Sequence, residues 1–430
     1  MTRRRAAEEI IAIAQDIEGR IRIRVSVALD RVAAVRVEST RRTHASRILE
    51  GRPVNEALQA LPLLFSICGI AQASAGMAAC EEAQGIAATA AERARRSLLV
   101  AAESVQEHAG RLLLDWPRLF FDASPRLEEL AVLRRSVAAL RRALGGGIGQ
   151  AAAGGMPPDM DLSVASEQLS EIGAVLAHGI FAMSPADWLR IRDWAALRGW
   201  YRRATTVAAR TLGAVEDCRL EELGRSSVGV LPRIKPGAFS AVLDADAADG
   251  FTARPVWNGQ ACETGPLVRQ GRRSLVVELQ RLQGNGLMTR VVARLAELAS
   301  LPRRMGRYLQ VIHGGSGWRP MRRRGGGGAS DMQSGIGIVE TARGCLVHRV
   351  NLRGGIVERY RIVAPTEWNF HPEGALVQAL LALPVTGAQE LRRRVAMLVV
   401  ALDPCVEHEV IVEPAPTEDP QKCVWPYLPE

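Results

Sequence analysis

Hydrophobicity in this chain is plentiful but interrupted. Apolar residues make up 47% of 430 positions, yet no apolar run reaches the ~18 residues of a membrane-spanning helix. The longest stretches, such as Ala60 to Ala71, are broken by Pro62, Ser66 and Gly69. Such a chain buries its apolar surface against itself, and its length allows one large core or two smaller ones. Aromatic residues are only 4%, so Ala, Leu, Val and Ile must carry the core. The expectation is a globular protein without membrane insertion.

The net charge of +9 is nearly all arginine, with only Lys235 and Lys422 besides. The arginines are scattered among Asp and Glu along helical segments, the pattern of solvated faces and not of a nucleic-acid partner. Arg322-Arg323-Arg324 before Gly325–Gly328 reads as a flexible surface loop. Arg3-Arg4-Arg5 is followed by Glu8, Glu9 and Asp16 and by no apolar signal core, so this segment is expected to be helical and the protein cytoplasmic. The seven cysteines are widely spaced and form no CxxC pair. Their odd number argues against a disulfide framework, and their spacing against a zinc ribbon or a cysteine-ligated cluster.

The coarse pattern is α+β, mainly helical, with small sheets near both ends, read as a single domain over 1–430. Ala6–Gln15 has helical spacing. Alternation in Arg20-Ile21-Arg22-Ile23-Arg24-Val25 predicts a hairpin of Gly19–Leu29 with Ala33–Glu38. Helices are predicted over 53–61, from about Gly69 to Glu92, onward to Leu114 with a stop before Pro117, and over Pro125–Leu144. Further helices are expected over Val164–His178, Pro185–Val215 and Gly265–Leu301, with 225–265 irregular. Loops are expected at about 145–158 and 314–330. Strands follow at Ile336–Thr341, Cys345–Leu352 and Ile356–Val363, then helices at Leu376–Leu383 and Gly387–Leu402, and an extended tail at 412–430.

Five segments carry a family resemblance. They are Asp16-Ile17-Glu18-Gly19-Arg20-Ile21-Arg22-Ile23; Gly51-Arg52-Pro53 with Ser66-Ile67-Cys68-Gly69-Ile70-Ala71; Gln106-Glu107-His108 with Leu114-Asp115-Trp116; Glu340-Thr341-Ala342-Arg343-Gly344-Cys345-Leu346-Val347-His348 with Ala364-Pro365-Thr366-Glu367-Trp368-Asn369; and Asp403-Pro404-Cys405-Val406-Glu407-His408. Each is a weak motif alone. In this order they resemble the large subunit of nickel–iron hydrogenases across residues 16–408, with little to match between about 120 and 330.

The resemblance implies that family's fold and a site for its metals. The enzymes hold nickel and iron on four thiolates, a soft ligand set suited to these metals. Cys68 and Cys405 match the first cysteine of each pair, but the bridging partners are replaced by Ala71 and His408. Alanine ligates nothing, and an imidazole is a poor substitute for a bridging thiolate. The surroundings implied are Arg343 and Thr366 facing cyanides, Leu346 facing carbon monoxide, Pro365 shaping the turn, and Glu18 steadying Arg343. Arg343 could instead simply pair with Glu18 or Glu340.

This combination resembles the hydrogenase expression/formation proteins of the HupK/HoxV type. It implies a non-catalytic accessory protein, a scaffold that transiently binds iron carrying cyanide and carbon monoxide and does not retain nickel. Its implied partners are hydrogenase maturation factors and a hydrogenase large subunit. Two alternatives stay open: a degenerate hydrogenase or hydrogen sensor using His408, and a metal-free interaction protein with the same fold. The D-P-C-x-x-C-x-x-H context in which catalytic subunits lose a C-terminal extension is broken here by His408 and Ile411. The tail after the motif is therefore expected to stay on, and intact-mass spectrometry of the mature protein should find Glu409–Glu430 still attached.

Overall fold

The computed structural model describes residues 19–40, 45–65, 67–148, 159–245, 248–315, 321–322, 332–381 and 383–415. The expected helix at Ala6–Gln15, Glu18, most of the two glycine-rich loops and the tail beyond 415 lie outside these residues.

The elements that position the site are, in chain order, β1 (Arg20–Ala28), β2 (Arg31–Ser39), α1 (Val54–Leu64), α2 (Gly69–Ala83), α3 (Ala90–Gly110), α4 (Leu287–Gly314), β3 (Met332–Thr341), β4 (Gly344–Arg353), β5 (Ile356–Val363), α5 (Pro365–Asn369), α6 (Ala388–Leu402) and β6 (Glu407–Pro414). The α+β, mainly helical reading is borne out.

The predicted hairpin is present, turning on Leu29 and Asp30, both left-handed, as a two-residue turn matched to strand twist requires. Its alternation places Ile21, Ile23 and Val25 in the core. The arginines between them face a strand that the sequence reading did not anticipate. β6 pairs in parallel with β1, giving a three-stranded sheet in the order β6–β1–β2. Arg20, Arg22 and Arg24 reach Glu407, Glu409 and Glu413 at 3.1, 3.2 and 3.4 Å. Such exposed pairs contribute little stability, but Arg20 and Arg22 lie directly opposite Glu407 and Glu409, in keeping with the register of two segments from opposite ends of the chain.

The second sheet is the expected antiparallel meander β3–β4–β5. Its partner is α2, the alanine-rich helix, which buries twelve of its fifteen residues. Small side chains let strand and helix backbones approach closely. A Cβ on Gly337 would stand 1.9 Å from the Ala75 carbonyl oxygen, and one on Gly335 would stand 2.0 Å from that of Ala79. The two elements also meet through polar atoms. His348 on β4, fully buried, has Nδ1 2.8 Å from the Tyr360 hydroxyl and Nε2 2.8 Å from Gln72 Oε1.

Several helix boundaries differ from expectation. The run predicted to reach Glu92 ends at Ala83, where Gly85 turns at φ +65°, and α3 restarts behind a Thr89 cap on the Glu92 amide. The helix expected to stop before Pro117 widens into a π turn over Arg111–Asp115 and continues through Trp116–Phe121. Proline is tolerated there because it falls in a first turn, whose amide needs no partner. The helix predicted over Pro185–Val215 is three pieces, 185–188, 194–201 and 207–217, the first two capped by Ser184 and Asp193. Residues 225–265 contain helices at 236–244 and 248–253. Gly265–Leu301 divides at Gly271 and at Gly284, and its last part, α4, runs through Pro302 to Gly314.

Two tests follow from this packing. Gly337→Ala should lower stability to urea by about 2–3 kcal/mol, because a methyl cannot fit against a backbone oxygen. Burial holds the His348 imidazole down at about 3, so its neutral form stabilises the fold fully above the unfolded value of about 6.5 and that stabilisation is lost as pH falls toward 3. Between pH 6.5 and 5 the group should remove about 2 kcal/mol. The pH dependence of the urea midpoint over that range should therefore be shallower in His348→Gln.

Candidate metal centre

The two matched cysteines stand at element ends. Cys68 is the residue before α2, where the helix leaves its first amides unpaired. Cys405 lies in the short passage from α6 to β6. Although 337 positions apart, they are close enough that charge on Cys405 raises the Cys68 thiol. That thiol is pushed up to about 12, by burial first and then by Cys405 and Glu103, against the Gln72 hydrogen bond and Arg343.

Thr366 and Pro365 open α5 directly after β5, with the proline in the first turn. The Thr366 hydroxyl is 3.1 Å from the Cys405 sulfur and accepts the Cys405 amide at 3.4 Å. Leu346, on β4, is fully buried. Cys345 beside it belongs to a separate small core with Val347, Val363 and Trp368.

Arg343 sits in the turn between β3 and β4 and is buried. Its Nη2 donates to Glu107 at 2.8 Å and lies 3.5 Å from Asp403. Burial disfavours its charge, but Asp403, Glu107 and Cys405 more than compensate and hold it firmly protonated. Its Nε has no hydrogen-bond partner among the described residues. Of the partners the sequence offered Arg343, Glu340 binds Arg269 at 2.6 Å and Glu18 lies outside the described residues; the pairing is with Glu107 and Asp403.

Asp403 organises this end of the site. It closes α6 in a left-handed conformation (φ 59°) and accepts from Arg111 Nε at 2.7 Å and from Arg294 Nη1 at 2.9 Å. Burial alone would raise its carboxyl, yet Arg343, Arg111 and Arg294 hold it well below the usual carboxylate range. Glu103 does the same for the other segment. Its carboxylate accepts the Ile70 and Ala71 amides at 2.8 and 3.1 Å, and burial, with Glu107 nearby, lifts it to about 8.

The remaining matched positions fall differently. Ala71 is buried in the first turn of α2. His408 is exposed on β6, opposite Ile21 in the register. Among the described residues, no three His, Cys, Asp or Glu side chains are grouped as ion ligands. The site thus presents two thiols, a hydroxyl and a guanidinium with one unused donor.

Sequence reasoning placed the cysteines, Arg343, Leu346, Pro365 and Thr366 around one centre, and the structure gathers Arg343, Thr366 and both thiols there. It missed Asp403 as a hub, Glu107 as the partner of Arg343, and Glu103 as the cap. A signal existed: Glu103, Glu107 and Arg111 recur every four residues along one helix line.

A family model described as nickel-dependent hydrogenase matches residues 138–408. The hydrogenase expression/formation protein HoxV of Cupriavidus necator is 30% identical, the match covering 85% of this chain and 90% of that protein. HupK of Rhizobium leguminosarum, named in the same way, is 30% identical over 92% of this chain and 97% of its own. Among solved structures, the nickel–iron–selenium hydrogenase of Desulfovibrio vulgaris Hildenborough superposes with a TM-score of 0.66 at 19% identity, over 88% of this chain and 94% of that one. The chain therefore belongs to the nickel-dependent hydrogenase family, on its branch of hydrogenase expression/formation proteins.

Proposed function

We propose that this protein is a non-catalytic scaffold in hydrogenase maturation, which carries an iron unit bearing cyanide and carbon monoxide and passes it to a hydrogenase large subunit. The observation that carries this reading is the pair of thiols brought together beside a buried guanidinium whose Nε has no partner. A buried donor left unmade is costly. A cyanide nitrogen on bound iron is an anionic acceptor that would satisfy it.

The donor set fits iron better than a nickel–iron pair. Cys68 and Cys405 supply two thiolates, Thr366 a second polar contact for cyanide, and Leu346 the wall for carbon monoxide, with Pro365 setting the turn that presents Thr366. Ala71 supplies nothing and His408 lies exposed, so nickel is not retained and hydrogen is not split. Fewer metal–sulfur bonds also make release possible, which a carrier needs. The proposed donors of this cargo are the maturation factors that assemble it, and the site of action is the cytoplasm. Among the described residues, no helix is long and apolar enough to cross a membrane.

Infrared spectroscopy on protein purified without oxygen, from a cell with its own maturation machinery, tests the proposal. Cyanide and carbonyl stretches should appear, and either Cys68→Ser or Cys405→Ser should abolish them. A native protein with no bands and no iron would instead be a metal-free interaction partner. Stoichiometric nickel with hydrogen-dependent dye reduction would make it an enzyme.

A further inference from the structure

A line of buried polar groups leads away from Cys68 and has no role in the ligand set. Gln72, one turn along α2, donates from Nε2 to the Cys68 sulfur at 3.5 Å. Its Oε1 meets His348 Nε2 at 2.8 Å, and His348 Nδ1 meets the Tyr360 hydroxyl at 2.8 Å. Gln72, His348 and Tyr360 are each 1% exposed or less. The helix is shaped to admit them: a Cβ on Gly76 would stand 2.7 Å from the Tyr360 oxygen.

The direction of these hydrogen bonds can be worked out. Burial keeps His348 neutral, so one ring nitrogen donates and the other accepts. The buried Tyr360 hydroxyl has no other hydrogen-bond partner among the described residues, and leaving its proton unmatched would be costly. Tyr360 therefore donates to Nδ1, and Nε2–H donates to Gln72 Oε1. That fixes the amide with its NH2 toward the sulfur. Every bond in the line runs toward Cys68 and ends on sulfur as acceptor.

We infer that Gln72 is a positioning residue, oriented by His348 and Tyr360, which holds the Cys68 sulfur as a hydrogen-bond acceptor ready to ligate. A neutral thiol has little use for such a donor, whereas a thiolate gains a charge-assisted bond. The inference rests on the proposal that Cys68 is a ligand, but its physical content can be read without metal.

The test is the rate at which iodoacetamide alkylates Cys68 in the full chain, made without maturation machinery and free of iron. Rates are followed at pH 9 by mass spectrometry of the Cys68 peptide. Alkylation requires the thiolate. Gln72→Leu should slow it about tenfold, the loss of one hydrogen bond to a charged group. Tyr360→Phe keeps the core volume but frees His348 and Gln72 to turn over, and should slow it severalfold. Cys218, which is exposed, reports the intrinsic rate and should not change. A merely structural role predicts the opposite sign, because loosened packing exposes the half-buried thiol and speeds the reaction. An unchanged or faster Cys68 rate in Gln72→Leu overturns the inference; should that variant not fold, the same result in Tyr360→Phe does so. Slowed alkylation in a protein that shows no infrared bands would leave the positioning role standing and remove the cargo. Bands with unaltered alkylation would do the reverse.

Discussion

The arrangement of the centre depends on one buried carboxylate. Asp403 is 1% exposed, and three guanidiniums converge on it from the end of α3, the middle of α4 and the β3–β4 turn. A lone buried carboxylate would be expensive, and so would three buried arginines. The cluster avoids both costs because each arginine has a second partner. Arg111 reaches Asp115 and the Pro404 carbonyl, Arg294 takes the Val400 and Ala401 carbonyls at the end of α6, and Arg343 takes Glu107. Three carboxylates thereby balance three guanidiniums. Removing one partner from such a set costs about 3–5 kcal/mol. Because Arg111 also grips Pro404, the same interactions set where Cys405 stands.

The opposite segment is fixed by a different means. α2 has almost no large side chains, so β3 can lie on its backbone at Gly335 and Gly337. Close contact of this kind leaves no slack through which the helix could slide. Its first turn, and Cys68 with it, is then pinned by the Glu103 carboxylate on the Ile70 and Ala71 amides. One cysteine is therefore placed by electrostatics and the other by steric fit and a cap. Thr366, held at the start of α5 and bonded to Cys405, joins the two meeting segments to the meander.

These two mechanisms explain what the sequence disclosed. Period-two alternation exposed the hairpin, because β1 has one face in the core, whereas the central meander strand β4 is buried on both faces and was legible only as an apolar run. The parallel strand β6 stayed hidden because its partner lies almost four hundred residues away, and only the folded chain sets Glu407 and Glu409 opposite Arg20 and Arg22. The helix breaks within 185–215 were missed because the restart at Trp194 is made by one short side chain, Asp193, whose carboxylate caps the Ala196 amide. At the centre, short motifs identified the groups that would face a metal. The groups that hold those in place, Asp403, Glu103 and Gln72, are scattered through the chain and become a network only once folded.

The network also bears on how a hydrogenase expression/formation protein can keep the surroundings of Cys68 and Cys405 while alanine and histidine stand at positions 71 and 408. Thiol count sets how tightly metal is held, whereas the buried donors around it set which ligands on the metal are accepted. Alanine at position 71 sits in a helix turn that Glu103 caps through backbone amides, so the turn needs no polar side chain at that position. Recognition can then survive while affinity falls. Burial pushes the Cys68 thiol up, so a proton would compete with any metal for its sulfur at neutral pH.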